Sequence, residues 1–210
     1  MKLKSLLAVA LVAGASSAMA SDFYVAGSVG QSSINMGTGS IDADLRAEGF
    51  TGVSSNTDEN DTAYKLTAGW QFHKNFALEL GYFDLGKGNY TANFTGPVAG
   101  TVKAEWKADG WGIGIVGKLP INEQFSVFAR VAAVDAKVKL NVSASGPGVS
   151  VSDSADSADW KGNYGLGAQW DFTKQFGVRA EYERFDKLGD SNKTGEADVD
   201  LWSVGLVFKF

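Results

Sequence analysis

The chain has 210 residues, enough for one domain, with a formal charge of −5, no cysteine and a slightly negative mean hydropathy. An acidic chain without a basic run argues against nucleic acid as a partner, and the absence of cysteine excludes a disulfide scaffold. Abundant Gly (26), frequent aromatics and scarce Pro (3) suit many strands.

The first twenty residues read as an export signal. Lys2 and Lys4 form a positive start, Leu6 to Ala15 an apolar run, and Ala18-Met19-Ala20 a small-x-small cleavage site. The run is too short to span a bilayer as a helix. The mature barrel domain is therefore expected to occupy 21–210, with its charge at −7 once Lys2 and Lys4 are removed.

Beyond the signal the dominant pattern is period-two alternation, recurring about eight times. The first stretch starts near Asp22, with Phe23, Val25 and Val29 on one face. The second sets Tyr64, Leu66, Ala68, Trp70 and Phe72 against Lys65, Thr67, Gly69 and Gln71. The third sets Phe76, Leu78, Leu80 and Tyr82 against Ala77, Glu79, Gly81 and Phe83. The fourth ends on Trp111, Ile113 and Ile115, and the fifth carries Phe125, Val127, Ala129 and Val131 opposite Ser126, Phe128 and Arg130. The sixth and seventh run from Tyr164 to Phe172 and from Phe176 to Tyr182. On the seventh, Gly177, Arg179, Glu181 and Glu183 take the second face. The eighth presents Trp202, Val204, Leu206, Phe208 and Phe210 on one face, ending on an aromatic.

Connections alternate between tight turns (73–75, 120–124, 173–175) and polar stretches that read as long loops (34–62, 86–101, 143–159, 186–196). Ile41 to Gly49 could form a short amphipathic helix on the barrel mouth. Such alternation marks an all-β, eight-stranded antiparallel up-and-down transmembrane β-barrel with its turns and both termini on the periplasmic side. Closure requires the last strand to pair with the first, because an open edge in lipid leaves backbone groups unsatisfied. The motif Trp70-Gln71-Phe72-His73-Lys74-Asn75-Phe76 returns as Trp170-Asp171-Phe172-Thr173-Lys174-Gln175-Phe176. Trp70, Phe72, Phe76, Phe125, Trp170, Phe172 and Phe176 are thereby expected to form a lipid-facing girdle at headgroup level.

The hairpin 76–86, the stretch 176–182 and the terminal Phe resemble the OmpA-like transmembrane domain over nearly all of 22–210. The resemblance implies an eight-stranded outer-membrane barrel, inserted by the outer-membrane assembly machinery through the last strand. Trp202, Phe208 and Phe210 would carry that signal. Longer family members carry a C-terminal peptidoglycan-binding domain. Here the expectation is a membrane domain without it, so cell-wall anchoring is not carried over. The resemblance also places Glu79, Arg130, Arg179 and Glu181 in a lumenal ion-pair network. This sequence departs from the family at Gln169, where a carboxylate can stand, and at Ser28, where a lysine can stand.

Alternation alone puts those four charges on the inward face at similar height, each three to five residues above a turn. Two readings stand side by side: they fill a closed barrel and fix its register, or they gate a narrow pore for small ions. Enzyme chemistry is not expected, because the single histidine, His73, falls in a turn with no nucleophile to serve. Acidic stretches such as Asp58-Glu59-Asn60-Asp61 lack the spacing of a calcium loop, so no metal or cofactor is expected. The function expected is a monomeric envelope protein contacting lipids and lipopolysaccharide, with a pore or surface adhesion through long extracellular loops as the alternatives.

Overall fold

A computed structural model describes residues 22–37 and 39–210. The export signal lies outside the described residues. The chain forms β1 (Phe23–Asn35), α1 (Gly39–Ala47), β2 (Ser54–Asp58), β3 (Asn60–His73), β4 (Phe76–Phe94), β5 (Gly100–Pro120), β6 (Phe125–Gly146), β7 (Val149–Asp171), β8 (Phe176–Asp190) and β9 (Gly195–Lys209). Neighbouring strands pair antiparallel, and β1 joins both β3 and β9, which closes the ring. β2 continues the stave begun by β3, because both pair with β4 and only Glu59 interrupts them. There are therefore eight staves. Closure at β1–β9 runs from Tyr24↔Lys209 to Asn35↔Asp198, and the Phe210 N–H donates to the Phe23 carbonyl at 3.1 Å.

The outward face carries an apolar band between two aromatic belts. The belt beside the tight turns holds Trp70, Phe72, Phe76, Phe125, Trp170, Phe172 and Phe176, all exposed. Trp70–Phe72–Phe76 and Trp170–Phe172–Phe176 stack in near-identical geometry, with Phe72–Phe76 and Phe172–Phe176 centroids 6.5 and 6.4 Å apart. The second belt pairs Tyr82 with Trp111 and Tyr182 with Trp202. From Phe72 up to Tyr64, at about 3.3 Å per residue and a tilt of about 40°, is roughly 20 Å, the order of a bilayer's hydrocarbon band. Leu80, Val131, Leu166 and Leu206 are each more than half exposed within it. Water would not tolerate so continuous an apolar surface, and lipid requires it.

Above the second belt both faces invert. Outward positions turn charged at Asp84, Asp109, Asp135, Arg184 and Asp200. Inward positions turn apolar at Phe83, Val134, Phe185, Leu201 and their neighbours, which form one buried cluster inside the barrel. That is the pattern of a water-soluble β-structure with its own core, standing on a membrane barrel. At the same level β4 and β8 each carry an irregularity, between Asp84 and Lys87 and between Phe185 and Leu188. Carboxylates from neighbouring strands catch them. The Lys87 N–H donates to Asp61 and the Lys187 N–H to Asp198, at 2.9 and 3.0 Å.

Three of the polar stretches read from sequence as long loops (86–101, 143–159 and 186–196) are largely strand, and the first, 34–62, holds α1 and β2, which corrects that reading. β6 and β7 stay paired from Phe125↔Trp170 to Gly146↔Val149, and β4 and β5 to Phe94↔Gly100. From Asp135 to Gly146, at about 3.3 Å per residue and the same tilt of about 40°, the β6–β7 ribbon runs on for roughly 28 Å beyond the outward ring of charges. The expected mouth helix is present as α1.

Candidate functional site: the lumenal ion-pair layer

Inside the band, six staves send polar side chains to one level. Arg179 of β8 donates through Nη1 to Glu79 Oε1 of β4 at 2.6 Å and through Nη2 to Glu181 Oε1 at 3.3 Å. Arg130 of β6 holds its Nε 3.3 Å from Glu79 Oε2, an ion-pair distance without hydrogen-bond geometry. Glu79, Arg130, Arg179 and Glu181 thus meet in the lumen, each no more than 5% exposed.

Four further groups complete the layer. Lys65 Nζ of β3 donates to Glu181 Oε2 at 2.8 Å and also pairs with Glu183, which is fully buried. Glu183 is the second partner of Arg130, and Asn163 Oδ1 accepts from Arg130 Nη1 at 2.9 Å. Tyr24 Oη donates to Glu79 Oε1 at 2.6 Å. Three carboxylates face three cations, so the layer is neutral as a unit. Burying any one of these charges alone would be prohibitive.

Lys65 and Glu183 supply what Ser28 and Gln169 lack. Ser28 stands directly across from Lys65 in the β1–β3 register, so the missing cation is provided one stave over. Glu183 lies on the same face of β8 as Glu181 and supplies the third carboxylate. Gln169, beside Arg179 in the β7–β8 register, donates instead to Asp171 at 2.7 Å. Both Lys65 and Glu183 fall on the inward face by alternation. The signal that could have found them is charge balance.

Close backbone approach makes room for this packing. A Cβ on Gly167 would meet Phe128 Cζ at 2.2 Å, and one on Gly69 would meet the Tyr24 ring at 2.1 Å. Without those side chains, Phe128 lies under the Arg179 guanidinium at 4.0 Å, and Tyr24 reaches Glu79. Toward the turns, Ala77, Val116 and Phe128 pack below the ion pairs. The space left there, beside Gln169, Arg179 and Lys209, is about 20 Å³, roughly room for one water. On the other side sits the apolar cluster of Phe83, Phe185 and Leu201. His73 lies in the first tight turn, where its Nδ1 accepts from the Asn75 N–H at 3.2 Å.

A closed eight-stave ring, an apolar outer band and a polar, filled interior define an integral outer-membrane β-barrel. The model of the OmpA-like transmembrane domain matches residues 18–210, and the chain belongs to that family. Outer membrane protein A of Escherichia fergusonii is 27% identical over 169 residues, 77% of this chain and 44% of that protein. The Klebsiella pneumoniae protein of the same name is 24% identical over 193 residues, 90% of this chain and 51% of that protein. The chain thus spans about half the length of the curated relatives it matches. Among solved structures, Neisserial surface protein A superposes with a TM-score of 0.54 at 10% identity, over 91% of this chain and 99% of that one, a likeness of fold.

Proposed function

We propose that this protein is a monomeric, non-enzymatic structural barrel of the outer membrane that stiffens the envelope and does not conduct. The carrying observation is that two unlike layers fill the lumen. The neutral ion-pair layer around Arg179 lies within the membrane, and the apolar plug around Phe185 lies above it. An ion would have to break buried pairs and then cross a dry core. In this reading the tight turns and both termini face the periplasm. The apolar belts contact lipid, the charged ring above them faces lipopolysaccharide, and Trp202, Phe208 and Phe210 present the final strand to the assembly machinery.

A second reading is favoured by the length of the β6–β7 ribbon, whose paired strands reach Gly146 and Val149. Such a ribbon can carry surface contacts with other cells or molecules. One experiment separates the two. Removing Ser143–Ser152 and joining Val142 to Asp153, which are register partners, shortens the ribbon without touching the lumen. In a strain lacking the protein, the shortened form should restore resistance to detergent as fully as the intact chain. If only the intact chain restores it, the ribbon and not the barrel performs the function.

A further inference from the structure

Above the membrane, segments of five strands form a raised sheet in the order β2, β4, β5, β6 and β7. One of its edges is covered. Helix α1 stands beside β2, latched by Asp42, which accepts from Ser55 at 2.6 Å and from Tyr90 at 2.5 Å. The opposite edge, β7, is open. β8 leaves β7 at Asn163↔Phe185, and above that point β7 pairs with β6 alone. The β8–β9 hairpin meets β7 there through side chains, Thr194 with Ser157 at 2.9 Å and Glu196 with Lys161 at 3.2 Å. Beyond Ser157, the stretch Val149–Asp156 has no second strand partner among the described residues. At about 3.3 Å per residue it runs for roughly 26 Å.

Such an edge presents main-chain donors and acceptors at strand spacing, a pattern that another extended chain can complete. Its side chains set what that chain must carry. Val149, Val151 and Asp153 share one face, and Ser150, Ser152, Ser154 and Asp156 the other. Val149 and Val151 are 64% and 60% exposed. Asp153 and Asp156 are exposed and in no ion pair among the described residues, although Lys139 stands across from Asp156 in register.

We propose that this edge docks an extended cationic segment of another protein, which joins the sheet as a further strand. The partner places basic side chains opposite Asp153 and Asp156 and apolar ones opposite Val149 and Val151. A second copy of this chain does not fit. Its β7 would bring the same carboxylates, and like charges across a ladder repel. Membrane geometry also counts against it. Two such edges in one bilayer face each other only when one barrel is turned about the membrane normal. Strands tilted by about 40° then cross at up to about 80°, which no ladder tolerates. Docking of this kind rests on the surface-contact reading of the β6–β7 ribbon, and a closed lumen neither requires nor forbids it.

The probe is the fluorescein-labelled peptide Lys-Thr-Thr-Lys-Thr-Val-Thr-Val, which runs antiparallel to Val149–Asp156 with its lysines opposite Asp156 and Asp153. Titrated with the full chain in phosphatidylcholine nanodiscs, its anisotropy should rise and saturate. Alternate amides between Val149 and Asp156, those not already bonded to β6, should gain protection from hydrogen exchange. The same peptide N-methylated along its backbone keeps its charge but cannot complete the ladder, so it should bind about tenfold or more weakly. Asp153→Lys combined with Asp156→Lys should lose this peptide and bind its counterpart with glutamates in place of the lysines. The form lacking Ser143–Ser152 loses the outer part of the edge and should bind neither, which decides the matter if the double variant does not fold. Absence of saturable binding, equal binding of the methylated peptide, or binding unchanged by the charge reversal or the deletion overturns the proposal. None of these results bears on detergent resistance, by which the ribbon reading itself is judged.

Discussion

Replacing Arg179 with alanine removes the one cation that touches both Glu79 and Glu181. Glu79 keeps Arg130 at 3.3 Å and the Tyr24 hydroxyl, and Glu181 keeps Lys65 at 2.8 Å. The layer is left with three carboxylates against two cations, all almost wholly buried, and the Phe128 ring loses its cation. Breaking a buried pair from one side costs about 3–5 kcal/mol, because a charge stays behind in low dielectric. With a urea m-value of about 2 kcal/mol per molar, the unfolding midpoint in lipid vesicles should fall by about 2 M. Removing both members of the Arg179–Glu79 pair as methionines behaves differently. Lys65 still pairs with Glu181 and Glu183, and Arg130 with Glu183, so neutrality returns. That double variant should lie within about 1 kcal/mol of the parent. Tryptophan-fluorescence unfolding curves of the parent, both single variants and the double variant decide it. If the double variant loses the sum of the two single losses, the pairs do not act as one neutral unit and the reasoning fails.

Three further outcomes follow from the same geometry. Gly167→Ala places a methyl 2.2 Å from Phe128 Cζ and 2.5 Å from the Ala180 carbonyl, so it should destabilise the barrel by about 1–3 kcal/mol, read by the same curves. A charge set in the outer band, as in Leu166→Arg, should cost about 2–4 kcal/mol in vesicles if that face meets lipid at mid-depth, whereas Asp135→Arg above the band should be near neutral. Helix α1 should respond to acid. The Ser55 and Tyr90 hydroxyls hold the Asp42 carboxyl below the usual carboxylate range, while burial and Asp42 push the Tyr90 hydroxyl up to about 12. A carboxyl with a depressed folded pKa contributes above its ordinary value, and its contribution is lost as pH falls through the lowered one. The latch should therefore hold at neutral pH and release only below about pH 4, seen as altered amide signals of Asp44 to Ala47. Tyr90→Phe should move that release to higher pH.

The membrane part of this fold was legible because lipid imposes a strict rule. Outward residues such as Leu78, Leu80 and Tyr82 are apolar in sequence because no other residue type is tolerated, and their alternation with Ala77, Glu79 and Gly81 gives strand and facing together. The ribbons were not legible. Segments such as Val149 to Ala158 alternate serine and aspartate with small residues, so no hydrophobic period marks them. They are strand because β6 offers a hydrogen-bond ladder, a tertiary cause that local propensity does not carry. The plug lay in plain sight. Phe83-Asp84-Leu85 and Val134-Asp135-Ala136 still alternate, with the apolar parity moved to the inner face. A reading that followed parity as well as period would have located the upper membrane boundary. Lys65 and Glu183 were on the inward face from the start, but their meeting with Arg130 and Arg179 depends on barrel closure across staves distant in sequence.

The central claim is that the lumen is closed, and electrical recording in planar bilayers tests it most directly. At about 1 M KCl and about 100 mV of either sign, the intact chain should give no current steps, because the ion-pair layer and the plug lie in series. Resolved steps from the intact chain that change in size or frequency in Arg179→Ala would contradict the account and make these charges the gate of a pore.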